Sequence, residues 1–144
     1  MSTSGLKSID ETVHLTHVWL NDLLERTGWA DKPRAYRLLR TTLQALRDHL
    51  PVNEAADLGA QLPQLIRGVY YEGWHPAGTP VKIRTKVAFI ARIQEAFRTD
   101  PMGDAEAAVS AVFALLAEKV TEGEIDDVRR SLPVQIRELF PASE

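Results

Sequence analysis

Apolar residues recur along this chain at three- and four-residue steps, the spacing of one buried helical face. Leu15, Trp19 and Leu23, flanked by Leu20 and Leu24, predict a first helix. It starts near Ser8, where Ser8-Ile9-Asp10-Glu11 has the spacing of a capping box, and ends near Thr27-Gly28. Asp31-Lys32-Pro33 predicts the start of a second helix, with Asp31 as cap and proline in the first turn. Its apolar line is Leu39, Leu43, Leu46 and Leu50, and Pro51 stops it. A short third helix follows from about Asn53 to Gln61, and a fourth runs from Pro63 to about Tyr71. The second half repeats this order. Val87 to Phe97 predicts a helix, and Thr99 to Gly103 a break. Asp104 to Lys119 carries the line Val109, Val112, Phe113 and Leu116. Thr121-x-x-Glu124 is a second capping box, and Pro133 opens the last helix.

The two halves share one register, offset by 70 residues. Leu46–Tyr70 and Leu116–Phe140 agree at seven of 25 positions, among them Glu54/Glu124, Asp57/Asp127, Leu62/Leu132, Pro63/Pro133 and Arg67/Arg137. The predicted fold is all-α: a helical bundle built from two tandem copies of a four-helix unit, related by a pseudo-two-fold axis. Residues 1–144 form a single domain in this reading. Copy one spans about 9–72, an aromatic linker 73–82, and copy two about 83–140. Each Leu-Pro step forces a corner, because a proline ring prevents the preceding helix from continuing and loses no hydrogen bond in a first turn. Arg67 and Arg137 sit four residues past these corners. Two glycines and two prolines within Tyr71–Pro80 rule out a helix there, and Tyr70, Tyr71 and Trp74 are expected to pack into the seam between the copies.

Composition narrows the chemistry. Apolar residues make up 44% and charged residues 26%, the balance of a globular chain able to bury a core. The net charge of −3 is spread over both halves and opposes bulk attraction to nucleic acid or anionic membrane. The absence of cysteine excludes disulfides, thiolate metal sites and a cysteine nucleophile, and fits a reducing cytoplasm. MSTSGLKSIDETV offers no apolar run for a signal peptide, and no stretch reaches the ~18 apolar residues of a membrane span. There is no Gly-x-Ser-x-Gly and no glycine-rich phosphate loop.

Four groups of residues are candidates for a site. Asp10, His14, His17 and Asn21 fall within about 60° on a helical wheel, where a metal or acid–base pair is conceivable, although HExxH is absent. Lys32, Arg34, Arg37, Arg40 and Arg47 form a basic stripe on the second helix that suits anions or an acidic face of a second copy. VNEAADLGAQLP has the look of a helix-turn-helix entry, but the following PQLIRGVYYEG is apolar with one arginine, unlike a groove-reading helix. Arg67, Tyr70, Tyr71, Trp74 and His75, joined by Arg137 under two-fold symmetry, offer aromatic walls, guanidinium and imidazole for a small anionic ligand. The same arginines could instead cap carbonyls or pair with Glu54, Asp57, Glu124 and Asp127.

The stretch HLPVNEAADLGAQLPQLIRGVYYEGWHP, His49 to Pro76, resembles a prokaryotic family known as domain of unknown function 2267. The resemblance extends from about Val13 to Phe140 and is most specific in AADLGAQLP and the aromatic-Gly-Trp-x-Pro that follows. It implies a helical bacterial protein and brings no catalytic residue, cofactor or substrate. The leading functional reading is a non-enzymatic helical interaction module that self-associates in the bacterial cytoplasm. The rival is a small-anion binder or sensor using the seam. An enzyme using His14, His17 or His75 and a nucleic-acid binder rank below both; no cofactor or catalytic residue is assigned, and the expected partner is a protein, a second copy or a small anion, not a membrane.

Overall fold

The computed structural model describes residues 5–142. Eight α-helices occupy them, with no strand among the described residues. They are α1 (Lys7–Thr27), α2 (Lys32–Asp48), α3 (Val52–Ala60), α4 (Gln64–Tyr71), α5 (Lys86–Gln94), α6 (Ala105–Lys119), α7 (Glu122–Ser131) and α8 (Val134–Arg137). The expected all-helical fold is what forms. Residues 1–4 and 143–144, the ends of the expected 1–144 domain and the first part of the stretch read for a signal peptide, lie outside the described residues. No described helix is long and apolar enough to cross a membrane.

The periodic apolar lines are the buried ones. Leu39, Leu43, Leu46 and Leu50 are buried in the first half of the chain, and Val109, Val112, Phe113 and Leu116 in the second, all within one hydrophobic cluster. Helix α1 packs on α2 and α6, α2 on α4, α5 and α6, and α3 on α7. Helices of eight to ten residues are marginal alone. Contacts such as that between α3 and α7 supply what their length cannot.

Helix ends show where local chemistry decided. Gly28 closes α1 at φ 74°, a left-handed conformation that glycine adopts without steric cost, and its N–H reaches Leu24 O at 2.9 Å. The expected Ser8 capping box does not form. Lys7 is already helical, Leu6 takes the cap position, and Ser8 Oγ sits inside the first turn. Asp31 precedes α2 as expected, but its side chain makes no capping bond. Thr121 does cap α7, with Oγ1 accepting from Glu124 N at 3.4 Å. The other half of that box is missing, because Thr121 N donates to Gln61 Oε1 (3.4 Å). Thr85 and Asp104 cap α5 and α6 in the same manner.

Both Leu-Pro corners form. Pro63 (φ −56°, ψ 150°) and Pro133 (φ −54°, ψ 147°) precede α4 and α8. Helix α8 is a single turn, shorter than its counterpart. The aromatic linker is non-helical apart from a 3-10 turn at Pro76–Gly78, and Val81 N–H ties its far end to Asp48 O at 2.8 Å.

Candidate functional site

The acids that match between the halves meet one another. Glu54 and Glu124 stand in the first turns of α3 and α7, the two helices that pack together. Carboxylate oxygens of Glu54, Asp57 and Glu124 lie within 4.8 Å of one another. Glu54 and Glu124 are hydrogen-bonded to each other, and one Oε2 of each is buried with no further partner. Burial first, then the Glu54 hydrogen bond and the charges of Glu54, Asp57 and Asp127, push the Glu124 carboxyl up to about 8. Glu124 therefore keeps its proton at neutral pH. A hard divalent cation takes about six or more oxygens, so an ion here would draw half its shell from water. Among the described residues this is the one group of three or more acidic or histidine side chains close enough to share an ion.

Arg67 and Arg137 serve the corners. Arg67 Nε donates to Gly59 O (2.9 Å), and its Nη2 to Ala60 O (3.3 Å) and Leu62 O (2.9 Å). Arg137 Nη2 donates to Leu132 O at 3.1 Å. The aromatics beside Arg67 pack as a stack. Tyr70 is buried with its hydroxyl donating to Ala55 O (2.7 Å), Tyr71 lies edge-on to it at 5.0 Å, and Trp74 stacks on Tyr71 at 5.3 Å. His75 is exposed at the entry to the 3-10 turn.

The basic stripe of α2 divides. Arg34 lies 3.8 Å over the Trp29 ring and donates to Asp100 Oδ2 (3.0 Å) and Pro101 O (2.9 Å). Arg37 shares Asp100 at 3.8 Å and lies over Phe97. Arg40 is half-buried, with Nε unpaired among the described residues. Arg47 is 3% exposed and turns inward, donating to Asp48 Oδ1 (2.9 Å), Tyr70 O (2.7 Å) and Glu72 O (2.9 Å). Burial works against the Asp48 carboxylate, but Arg47 and Arg92 outweigh it and hold its pKa below the ordinary value. On α1, His14 is exposed and His17 Nδ1 lies 3.3 Å from Lys32 Nζ.

Arg137 is brought together with residues that sequence reasoning did not group with it. It lines a cleft of about 360 Å³ with His49, Val81, Arg84, Arg130 and Leu132. Arg130 reaches Asp127 one turn back, and Arg84 makes no hydrogen bond or ion pair with any described residue. His49 is 2% exposed and packs edge-on against Phe89 at 4.9 Å. The available signal was a histidine set into the buried line between Leu46 and Leu50.

The sequence model of the family described as "Uncharacterized conserved protein (DUF2267)" matches residues 16–139. The chain belongs to this family. No curated relative matches it. In this DUF2267 chain the family match covers every residue of the acid pair, both Leu-Pro corners and the whole cleft.

Proposed function

We propose that the protein is a non-enzymatic helical interaction module of the bacterial cytoplasm that self-associates through the N-terminal half of α1. One observation carries this reading. Leu6, Ile9 and Val13, spaced to share one helical face, are 57%, 45% and 40% exposed. Leu65 on α4 adjoins them, with its N–H on Thr12 Oγ1 at 2.8 Å, and is 36% exposed. Contiguous exposed aliphatics of this kind mark contact surfaces. A self-complementary patch suits a two-fold dimer, the commonest closed assembly.

Charge offers a weaker route to the same end, because the chain spends its charges internally. Glu118 and Asp22 pair with Arg26, Glu106 with Lys86, and Asp100 with Arg34. The helix starts at Val52/Glu122 and Gln64/Val134 keep the 70-residue offset, which supports descent from a duplicated unit.

Sedimentation over a concentration series tests the reading. The wild-type chain is expected to dimerise by about 100 µM, a concentration at which even weak specific contacts populate. Val13→Asp is expected to leave a folded monomer. A wild-type chain that stays monomeric throughout, or a Val13→Asp variant that dimerises equally, refutes it.

A further inference from the structure

The His49 cleft combines a cationic rim with an unpaired buried acceptor. Its rim is cationic: Arg84, Arg130 and Arg137 line it from the segment before α5, the end of α7 and α8, and among the described residues only Arg130 is matched by a carboxylate. Its wall holds a buried nitrogen with nothing to bond. His49 Nδ1 lies 2.7 Å from Ala45 O, so it must carry the proton and donate. The remaining ring nitrogen, Nε2, is buried and has no hydrogen-bond partner among the described residues. Buried polar atoms are nearly always paired, and an exception in a pocket wall calls for a reason.

Protonation does not supply one. Burial holds the imidazole below its ordinary pKa. Arg92 adds to this, while the Ala45 carbonyl and the Asp48 carboxylate oppose it. The cleft walls add Arg84, Arg130 and Arg137, all of which disfavour a second positive charge. His49 therefore stays neutral, and Nε2 presents a lone pair. The site has guanidinium donors for anionic oxygens and one acceptor that needs an O–H. Planar guanidinium groups fit phosphate oxygens with paired hydrogen bonds. A cleft of about 360 Å³ exceeds a bare phosphate and suits a small metabolite.

We propose that this cleft binds a small phosphate that also offers an O–H donor, with its anionic oxygens held by Arg84, Arg130 and Arg137 and its O–H donated to His49 Nε2. Hydrogen phosphate carries both groups on one centre, and a phosphomonoester with a neighbouring hydroxyl carries them on two. The site lies apart from the α1 patch and does not depend on self-association.

Calorimetric titration of the full chain tests this at constant ionic strength and mildly alkaline pH. The probes are inorganic phosphate, glycerol phosphate and sulfate. Sulfate has the charge and shape of phosphate but no O–H, so it interrogates Nε2 without altering the protein. Saturable binding of inorganic phosphate or glycerol phosphate is expected, with sulfate at least about tenfold weaker, since a site built around a hydrogen bond rejects an analogue lacking it. The tighter of the two phosphates identifies the source as free phosphate or an ester. Arg84→Gln removes an exposed side chain that bonds to no described residue, so the fold survives. It is expected to weaken binding about tenfold, as loss of a charge-assisted contact does. No saturable binding by either phosphate, sulfate binding as tightly as both, or an unchanged affinity in Arg84→Gln would each overturn the proposal.

Discussion

Glu54 and Glu124, 70 residues apart in the chain, hydrogen-bond to each other across the contact between α3 and α7. Neither has an arginine partner among the described residues, although Arg67 and Arg137 lie at matching distances along the sequence. The α3–α7 contact thus contains a carboxyl pair that holds a proton the unfolded chain would release. The sign follows directly. Glu124 rises from 4.5 to about 8 on folding, so its contribution is full below pH 4.5 and is lost as pH climbs to about 8. Three other shifted groups act elsewhere: burial raises the Tyr70 phenol above its ordinary value of 10.0, so it matters only in strong alkali. Asp48 is lowered and costs stability only as pH falls below the ordinary carboxylate range. His49 is lowered and costs stability only below its ordinary value of 6.5. Between pH 6.5 and 8 the carboxyl pair acts alone. The melting temperature is expected to fall across that window in the wild type and to stay level in Glu124→Gln. At pH 8.5 the variant is expected to melt higher by about 2–4 °C. A wild-type profile that is flat or rising over the window rules out the retained proton.

Arg67 and Arg137 occupy matching positions after matching prolines but carry unequal structural weight. Arg67 satisfies three carbonyls at the end of α3 and the corner, whereas Arg137 satisfies one. Hydrogen bonds from a charged donor contribute about 1.5–3 kcal/mol in favourable settings. Arg67→Ala is expected to lose about 2 kcal/mol and Arg137→Ala less than about 1 kcal/mol. Urea unfolding at constant slope reads the difference. Equal losses would mean that both arginines act only at their corners, which would also weaken the case for Arg137 as a ligand-facing group.

Much of this was legible in the sequence because helical periodicity and proline are local signals. The apolar line of α2 identified four residues that are buried, and Pro63 and Pro133 marked both corners. The failures share one physical cause: side-chain partners are set by packing between segments distant in the chain. Arg47 reads as part of a basic surface stripe, yet its position on the wheel borders the leucine face, and α4 supplies the carbonyls that draw it inward. The matched arginines read as carbonyl caps or as partners of the matched acids; they cap carbonyls, and only the α3–α7 contact turns the acids towards each other. Ser8 has the right spacing for a cap, but one extra helical residue at Lys7 moves it out of position. The cleft joins His49, Arg84, Arg130 and Arg137, which share no sequence motif.

Gly59 shows how tightly the aromatic stack constrains α3. A Cβ built there would meet Tyr71 Oη at 2.3 Å, Tyr71 Cζ at 2.6 Å and Tyr70 Cε2 at 3.1 Å. Helix propensity alone favours alanine over glycine by about 1 kcal/mol. Here sterics should win. Tyr71 cannot swing aside freely, because it lies between Tyr70 and the stacked Trp74 ring. Overpacking of this kind costs about 1–3 kcal/mol, so Gly59→Ala is expected to be net destabilising. Gly68 provides the internal control. It lies in α4, is exposed, and a Cβ there would meet nothing within 4 Å. Gly68→Ala should therefore show the bare propensity gain of about 0.5–1 kcal/mol. Chemical denaturation of both variants gives opposite signs if the stack is rigid. Combining Gly59→Ala with Tyr71→Ala should cost less than the sum of the two single changes, since removing the ring relieves the clash. Strict additivity, or a stabilised Gly59→Ala, would show that Tyr71 yields and that the stack does not hold α3 in place.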